Sequence, residues 1–287
     1  KIVFYIRRLL QFLLSLGIFG TLLFFTLFIG VYFYVARDLP SFDSLDDYRP
    51  PVVAQVFDNR GERLGEFWME RRIRVPIAEV PLMVSNAFLA AEDTRFYQHH
   101  GVDFRGVFRA FLANLKAGDI VQGGSTITQQ ITRSLLLSRE RTWQRKIKEA
   151  ILATRLERRL TKAQILELYL NQIYFGNRAY GIVSAAENYF HKNLSKLNVA
   201  EIALLGGMPR APSQLSPLEN PERARERQIY VLDRMREEKM ITEEQYQQAL
   251  ITPIQVYVAK TDKEQNEKTA PYFLEQVRAE IREKFGE

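Results

Sequence analysis

The sequence predicts a mainly α protein that carries an N-terminal transmembrane helix and a small β-containing segment ahead of its helical body. Three observations predict it. Residues 9–36, between Arg8 and Arg37, hold no charge at all. A short strand-like stretch, VVAQVFDNRGERLGEFWMERRIRVPI, is broken by Asp58-Asn59-Arg60-Gly61, a plausible turn between two strands. From Pro81 to about residue 250, apolar side chains recur at helical spacing. The boundaries that follow are residues 1–36 for a membrane anchor with a short cytoplasmic flank and 37–75 for a linker with short strands. Residues 76–250 form the helical domain and 251–287 a connector.

The charge-free run, as a helix, reaches roughly 40 Å, enough to cross a hydrocarbon core of about 30 Å with some tilt. It ends in Tyr32, Phe33 and Tyr34, which suits an interfacial aromatic belt rather than the small-residue end of a signal peptide. A buried soluble helix seldom stays apolar on every face for so long. Lys1, Arg7 and Arg8 precede the span, and Arg37 and Arg49 follow it. Counting Lys and Arg alone leans toward an inside N-terminus, so the helical body is expected outside the cytoplasm, on a single-pass protein of the cell (inner) membrane. LPSFDSLDDYRPP then reads as an extended linker.

Within the body, Leu82, Met83, Ala87, Phe88 and Ala91 form one face at helical spacing. Phe104, Val107, Phe108, Phe111, Leu112 and Leu115 match the i, i+3, i+4, i+7 template, and Gly118 suggests a stop. Gly123-Gly124 precede a helix, STITQQITRSLLL. Another, RTWQRKIKEAILATRLERRL, follows Ser138, with Trp143, Ile147, Ala150 and Ile151 expected on its packed side. Thr161 can cap the next helix, which Gly176 should end. Residues 199–208 and 222–239 give two more. Beyond Ile251 come a strand-like IQVYVAK, a polar stretch and a short amphipathic helix.

With 40 Lys and Arg against 34 Asp and Glu, the net charge of +6 points to an anionic partner: nucleic acid, lipid headgroups or a phosphorylated substrate. The 19 Phe and 13 Tyr argue against disorder. Absence of cysteine excludes disulfides, thiolate metal sites and cysteine nucleophiles.

Three constellations could carry chemistry. Glu92 follows an apolar helical face where a helix should end. There a carboxylate can be partly desolvated and act as a general base, or simply be an exposed acidic end. Gly123, Gly124, Ser125 and Thr126 open a helix whose free N–H groups would attract an anion, and Gln129 and Gln130 could reach sugar hydroxyls; the plainer reading is a Ser N-cap after a turn. Arg141, Arg145 and Lys148 fall at i, i+4 and i+7, a cationic ridge beside Glu149, which could pair with Arg145. Such a ridge suits a diphosphate, with or without a divalent ion, although most charged runs are solvated faces.

In combination these segments resemble the peptidoglycan glycosyltransferase domain of class A penicillin-binding proteins. The pattern E-D-x-x-F-x-x-H-x-G is matched by Glu92, Asp93, Phe96, His99 and Gly101. G-G-S-T-I-x-Q-Q is matched over residues 123–130, through Gly124, Ser125, Thr126, Gln129 and Gln130, and R-K-x-x-E from Arg145 to Glu149. Residues 165–176, 179–190 and 203–217 match further, and the resemblance runs from about residue 50 to 285.

The resemblance implies a lysozyme-like fold and lipid II as substrate, with undecaprenyl diphosphate leaving as a β-1,4-linked glycan strand grows. It implies Glu92 as the base on the acceptor's 4-hydroxyl, and Glu149 as a second glutamate that binds a metal or orients its cationic neighbours. Lys148, Arg141, Arg133, Arg109, Gln130 and Ser125, with Arg145 in the ridge, match positions that bind diphosphate and sugars. Position 133 departs from the Lys of many relatives, but Arg keeps the charge. A divalent cation, Mg or Mn, is implied as cofactor; lipid II, the growing glycan strand, the membrane and cell-wall assembly proteins are implied as partners, and nucleic acid is not. The helix over residues 104–115 reads as a core face by its period alone, whereas the resemblance implies a lobe that dips into the membrane surface, which its apolar stripe with Arg105, Arg109 and Lys116 suits. The chemistry agrees: a glycosidase needs a carboxylic acid for its alcohol leaving group, whereas a diphosphate needs only cations.

Neither Ser-x-x-Lys nor Lys-Thr-Gly, the marks of the transpeptidase that usually follows, occurs here. Residues 270–278, APYFLEQVR, resemble the connector into that second domain, which suggests a piece of a bifunctional protein. Two other readings are a lytic enzyme of related fold, which would release muropeptides from finished glycan, and a non-catalytic cell-wall scaffold, which would tolerate Glu92→Gln.

Overall fold

A computed structural model describes residues 2–37, 39, 54–67, 71–119, 123–136, 142–258 and 271–285. The long N-terminal helix α1 spans Ile2–Ala36. Among the described residues it is the one helix long and apolar enough to cross a membrane. Its described residues are exposed from Phe4 to Gly30, and at its far end Val35 is buried where the helix meets α5 (Trp143–Arg159). Most of the linker that follows lies outside the described residues.

Strands β1 (Ala54–Phe57) and β2 (Arg63–Phe67) form the expected antiparallel hairpin. Asp58 makes its turn: Oδ1 accepts from the N–H groups of Arg60 (2.8 Å) and Glu62 (2.7 Å), a short polar side chain replacing backbone bonds. Strand β3 (Arg71–Arg72) leaves the hairpin and pairs in parallel with β4 (Ala179–Tyr180). The chain is then pinned to helix α6 (Lys162–Gln172). Val75 N–H donates to Asn171 Oδ1 and Asn171 Nδ2 donates to Val75 O, both at 2.8 Å.

The body holds two packed groups of helices. In one, α2 (Leu82–Glu92), α8 (Val199–Gly207) and α9 (Pro221–Glu237) pack on one another, with α10 (Glu243–Ile251) against α9. In the other, α4 (Ile127–Leu136) packs on α5 and α6. Helix α7 (Ile182–Phe190) bridges α6 and α8. Phe88 of α2 joins the groups, edge-on to Tyr169 of α6 (6.1 Å) and to Phe175 (5.8 Å). Capping boxes start α6, α8 and α10, at Thr161, Asn198 and Thr242. The mainly α class read from the sequence is borne out.

Some expectations need correction. Helix α6 stops at Gln172, four residues before Gly176, because Tyr174 bridges to Tyr180 and Phe175 N–H bonds Ala179 O, so β pairing takes over. Trp143 is 59% exposed and Ile147, Ala150 and Ile151 are half-buried. The packed side of α5 is instead Glu149, Leu152, Ala153 and Leu156, because the Glu149 charge is neutralised inside and so tolerates burial. Residues 252–258 are extended but join no sheet. They lie beside the end of a helix, which offers one backbone bond, Tyr257 N–H to Tyr189 O (3.0 Å), with Tyr257 stacked on His191. Helix α11 (Pro271–Phe285) touches β2 and buries Leu274.

Helix α3 (Phe104–Ala117) is inverted relative to a core helix. Small residues Gly106 and Ala110 are buried, while Phe104, Val107, Phe108, Phe111, Leu112 and Leu115 are 44–79% exposed. Gly118 ends it in the left-handed conformation, as expected.

Candidate active site

Glu92 is the last residue of α2, fixed there because Val84, Ala87 and Phe88 anchor the helix in the core. Its carboxyl is 12% exposed. Oε2 accepts from Gln130 Nε2 (2.8 Å) and Oε1 pairs with Arg227 Nη2 (3.3 Å). Burial pushes its pKa above the ordinary carboxylate value; Arg227, Gln130, Arg210 and Arg133 oppose that rise but do not cancel it. Around it lies a cavity of about 220 Å³, open to solvent and lined by Gly124, Ser125, Gln130 and five arginines: Arg109, Arg133, Arg210, Arg227 and Arg234.

The rest of the Glu92 motif is scaffold. Asp93 Oδ2 accepts from Ile127 N–H (3.1 Å) and lies 2.9 Å from His99 Nε2. Asp93 therefore occupies the start of α4, and the amides of Thr126, Gln129 and Gln130 are used as well. Gln129 N–H bonds Thr126 Oγ1 (3.1 Å) and Thr126 N–H bonds Gln129 Oε1 (3.0 Å). The anion-binding helix end expected from the two glycines is thus filled by the protein's own carboxylate, and Thr126 rather than Ser125 is the cap. Thr126 Oγ1 also donates to Gly101 O (2.6 Å). Gly101 has a φ of 89°, and a Cβ there would lie 2.6 Å from Thr154 N, so that turn accepts only glycine. Buried Phe96 lies edge-on to His99 and beneath the Lys162 ammonium. The net effect is a rigid joint between α2 and α4 that sets Gln130 against Glu92.

The third motif does not reach the cavity in the expected way. Arg141 lies outside the described residues, and neither Lys148 nor Arg145 lines the cavity. Glu149 is 1% exposed and pairs with Arg145 and, at 2.8 Å, with Lys146 Nζ. Lys146, which periodicity did not single out, also donates to Ser125 Oγ (2.7 Å) and so ties α5 to the cavity wall. Both Glu149 oxygens are occupied by cations, so this carboxylate does not fit a divalent metal. Among the described residues no cluster of three or more His, Asp or Glu could hold one.

Sequence reasoning missed Arg210, Arg227, Tyr230 and Arg234. Arg227, Tyr230 and Arg234 stand at i, i+3 and i+7, a spacing visible in the sequence but hidden among the other arginines of α9. It also missed that Asp103 lies in the lining with Asp93, so Glu92 is not the only carboxylate there. Asp103, however, is paired with Arg95 Nη1 (3.1 Å), as Asp93 is with His99.

A family pattern described as Transglycosylase matches residues 60–236. The chain belongs to the transglycosylase family, and the glycosyltransferase domain read from its motifs is borne out. It is 48% identical over 251 residues to penicillin-binding protein 1A of Neisseria cinerea, covering 87% of this chain and 31% of that protein. It is 43% identical over 277 residues to penicillin-binding protein 1A of Aquifex aeolicus, covering 96% and 37%. A crystal structure of penicillin-binding protein 1A from Haemophilus influenzae aligns at TM-score 0.47 and 30% identity, over 84% of this chain and 25% of that one. The chain thus spans about a third of the length of these curated relatives.

Proposed function

We propose that this domain polymerises lipid II into β-1,4-linked glycan strands. In this reading Glu92 takes the proton from the acceptor sugar's 4-hydroxyl. That oxygen forms a bond to the donor's anomeric carbon as the bond to the diphosphate breaks. The carbon inverts from α to β, and undecaprenyl diphosphate leaves with the electron pair. Arginines 109, 133, 210, 227 and 234 absorb its charge. Gln130 and Ser125 contact sugar or phosphate oxygens, and Lys148 and Arg141 are further cations for the diphosphate.

The observation that carries this reading is one carboxylate of raised pKa in a cavity walled by five arginines. A base must be poised to accept a proton, and a diphosphate needs cations rather than an acid. The lytic alternative requires a second carboxyl free to serve a leaving alcohol; Asp93 and Asp103 are instead paired with His99 and Arg95. Concentration of arginine around one small cavity favours a diphosphate over nucleic acid, which would need an extended basic face. Mg or Mn enters only as a counter-ion carried by the substrate, because Glu149 is already neutralised. The exposed apolar stripe of α3 dips into the membrane surface on the extracytoplasmic side, where α1 anchors the domain beside lipid II, the growing strand and cell-wall assembly proteins.

The test is glycan synthesis from labelled lipid II by detergent-solubilised protein. Wild type should give polymer and Glu92→Gln about a thousandfold less. Equal polymer from both would overturn the assignment of the base; muropeptide release from finished glycan would favour the lytic enzyme.

A further inference from the structure

Arg227 is held on three sides. Its Nη2 lies 3.3 Å from Glu92 Oε1, its Nε donates to Gly207 O at 3.3 Å, and its guanidinium carbon stands 4.3 Å from the centroid of the Tyr230 ring. Its side chain is 10% exposed, so little water competes for these contacts. The stem passes Gly207 so closely that a Cβ there would come within 2.8 Å of Arg227 Cγ. Tyr230 itself lines the cavity one helical turn further along α9.

We propose that Tyr230 and Gly207 are positioning residues for glycosyl transfer, which clamp Arg227 onto Glu92 without themselves taking or giving a proton. The inference rests on Glu92 being the base. An arginine has many rotamers, and only those that lay it along the carboxylate hold the charge there. The aromatic face selects them by cation–π attraction, and the missing side chain at Gly207 leaves the channel for the stem. Arg227 is the strongest of the groups that hold the Glu92 pKa down; Arg210, Arg133 and Gln130 act in the same direction, while burial acts against them. The buried Tyr169 hydroxyl lies within electrostatic range of both Glu92 and Arg227. Loosening Arg227 therefore raises the pKa of the base further, and the ionised fraction falls on the acid side.

The experiment is kcat/KM for lipid II polymerisation against pH, in wild type, Tyr230→Ala, Tyr230→Phe and Gly207→Ala. Tyr230→Ala should move the acid limb to higher pH, with kcat/KM about fivefold lower on that limb and nearly restored on the alkaline plateau. Tyr230→Phe keeps the ring and should keep the wild-type limb. Gly207→Ala should displace the limb as Tyr230→Ala does. A raised KM with an unmoved limb in both Tyr230 variants would overturn the inference and make the phenol a substrate contact. An unmoved limb and unchanged KM would overturn it too. Full activity of Glu92→Gln would instead sink the reading of the base, whatever the Tyr230 profiles are.

Discussion

Glu92 destabilises the fold it serves. Burial raises its pKa, so the folded protein holds this proton more tightly than the unfolded chain does. Above the unfolded pKa the carboxylate must be ionised inside, and stability falls as pH rises toward the folded pKa, then levels. Glu92→Gln should therefore melt a few degrees higher than wild type at neutral pH, with the gap closing below about pH 4. Thermal melts at the two pH values check this. A lower melting temperature for the variant at neutral pH would mean that the Arg227 pair outweighs burial. Polymerisation should likewise fade, as pH drops, above the range of an ordinary carboxylate. Glu149 differs in its partners: it is more deeply buried and paired with two cations, Arg145 and Lys146.

Among the elements, α3 departs furthest from globular practice. Its small face packs inward, where Gly124 would bring a Cβ within 3.0 Å of Val107 Cα, and its large apolar face looks out. An exposed apolar stripe of this length beside Arg105 and Arg109 suits a lipid surface. The chain has no cysteine, so Phe111→Cys offers a single labelling site. In proteoliposomes, a polarity-sensitive dye at position 111 should shift to the blue and be quenched by brominated acyl chains. The same dye on Glu243→Cys, an exposed position of α10, should not. Equal water exposure at the two sites would count against the lipid contact. Helix α5 teaches a different point: its expected packed face, with Trp143, was wrong because period alone cannot tell that Glu149 arrives inside with its own counter-charges.

The whole molecule converges on the cavity from distant parts of the chain. Gln130 is 38 residues from Glu92 and Arg227 is 135 away. Phe88 sits where the two helical groups meet, one turn before Glu92. Phe88→Ala should cost about 3–5 kcal/mol by cavity formation and lower the melting temperature accordingly. It should also reduce polymerisation at temperatures where the variant is still folded, since α2 then carries Glu92 less firmly. Wild-type kcat in a folded Phe88→Ala would separate the core from the site.

The charge-free N-terminal run, the helical periods, the hairpin at Asp58 and the motif around Glu92 were all determined by the sequence, because each depends on residues close together in the chain. The order and spacing of the motifs also identified the family. Tertiary structure alone decided which amides stay free and which arginines meet. Asp93 closes the helix end that the glycines seemed to open, and Glu149 is buried against Arg145 and Lys146. Arg227, from a helix far along the sequence, becomes the partner of Glu92. The reason is that hydrogen-bond satisfaction and charge pairing are settled between elements, over distances in space that no local period records.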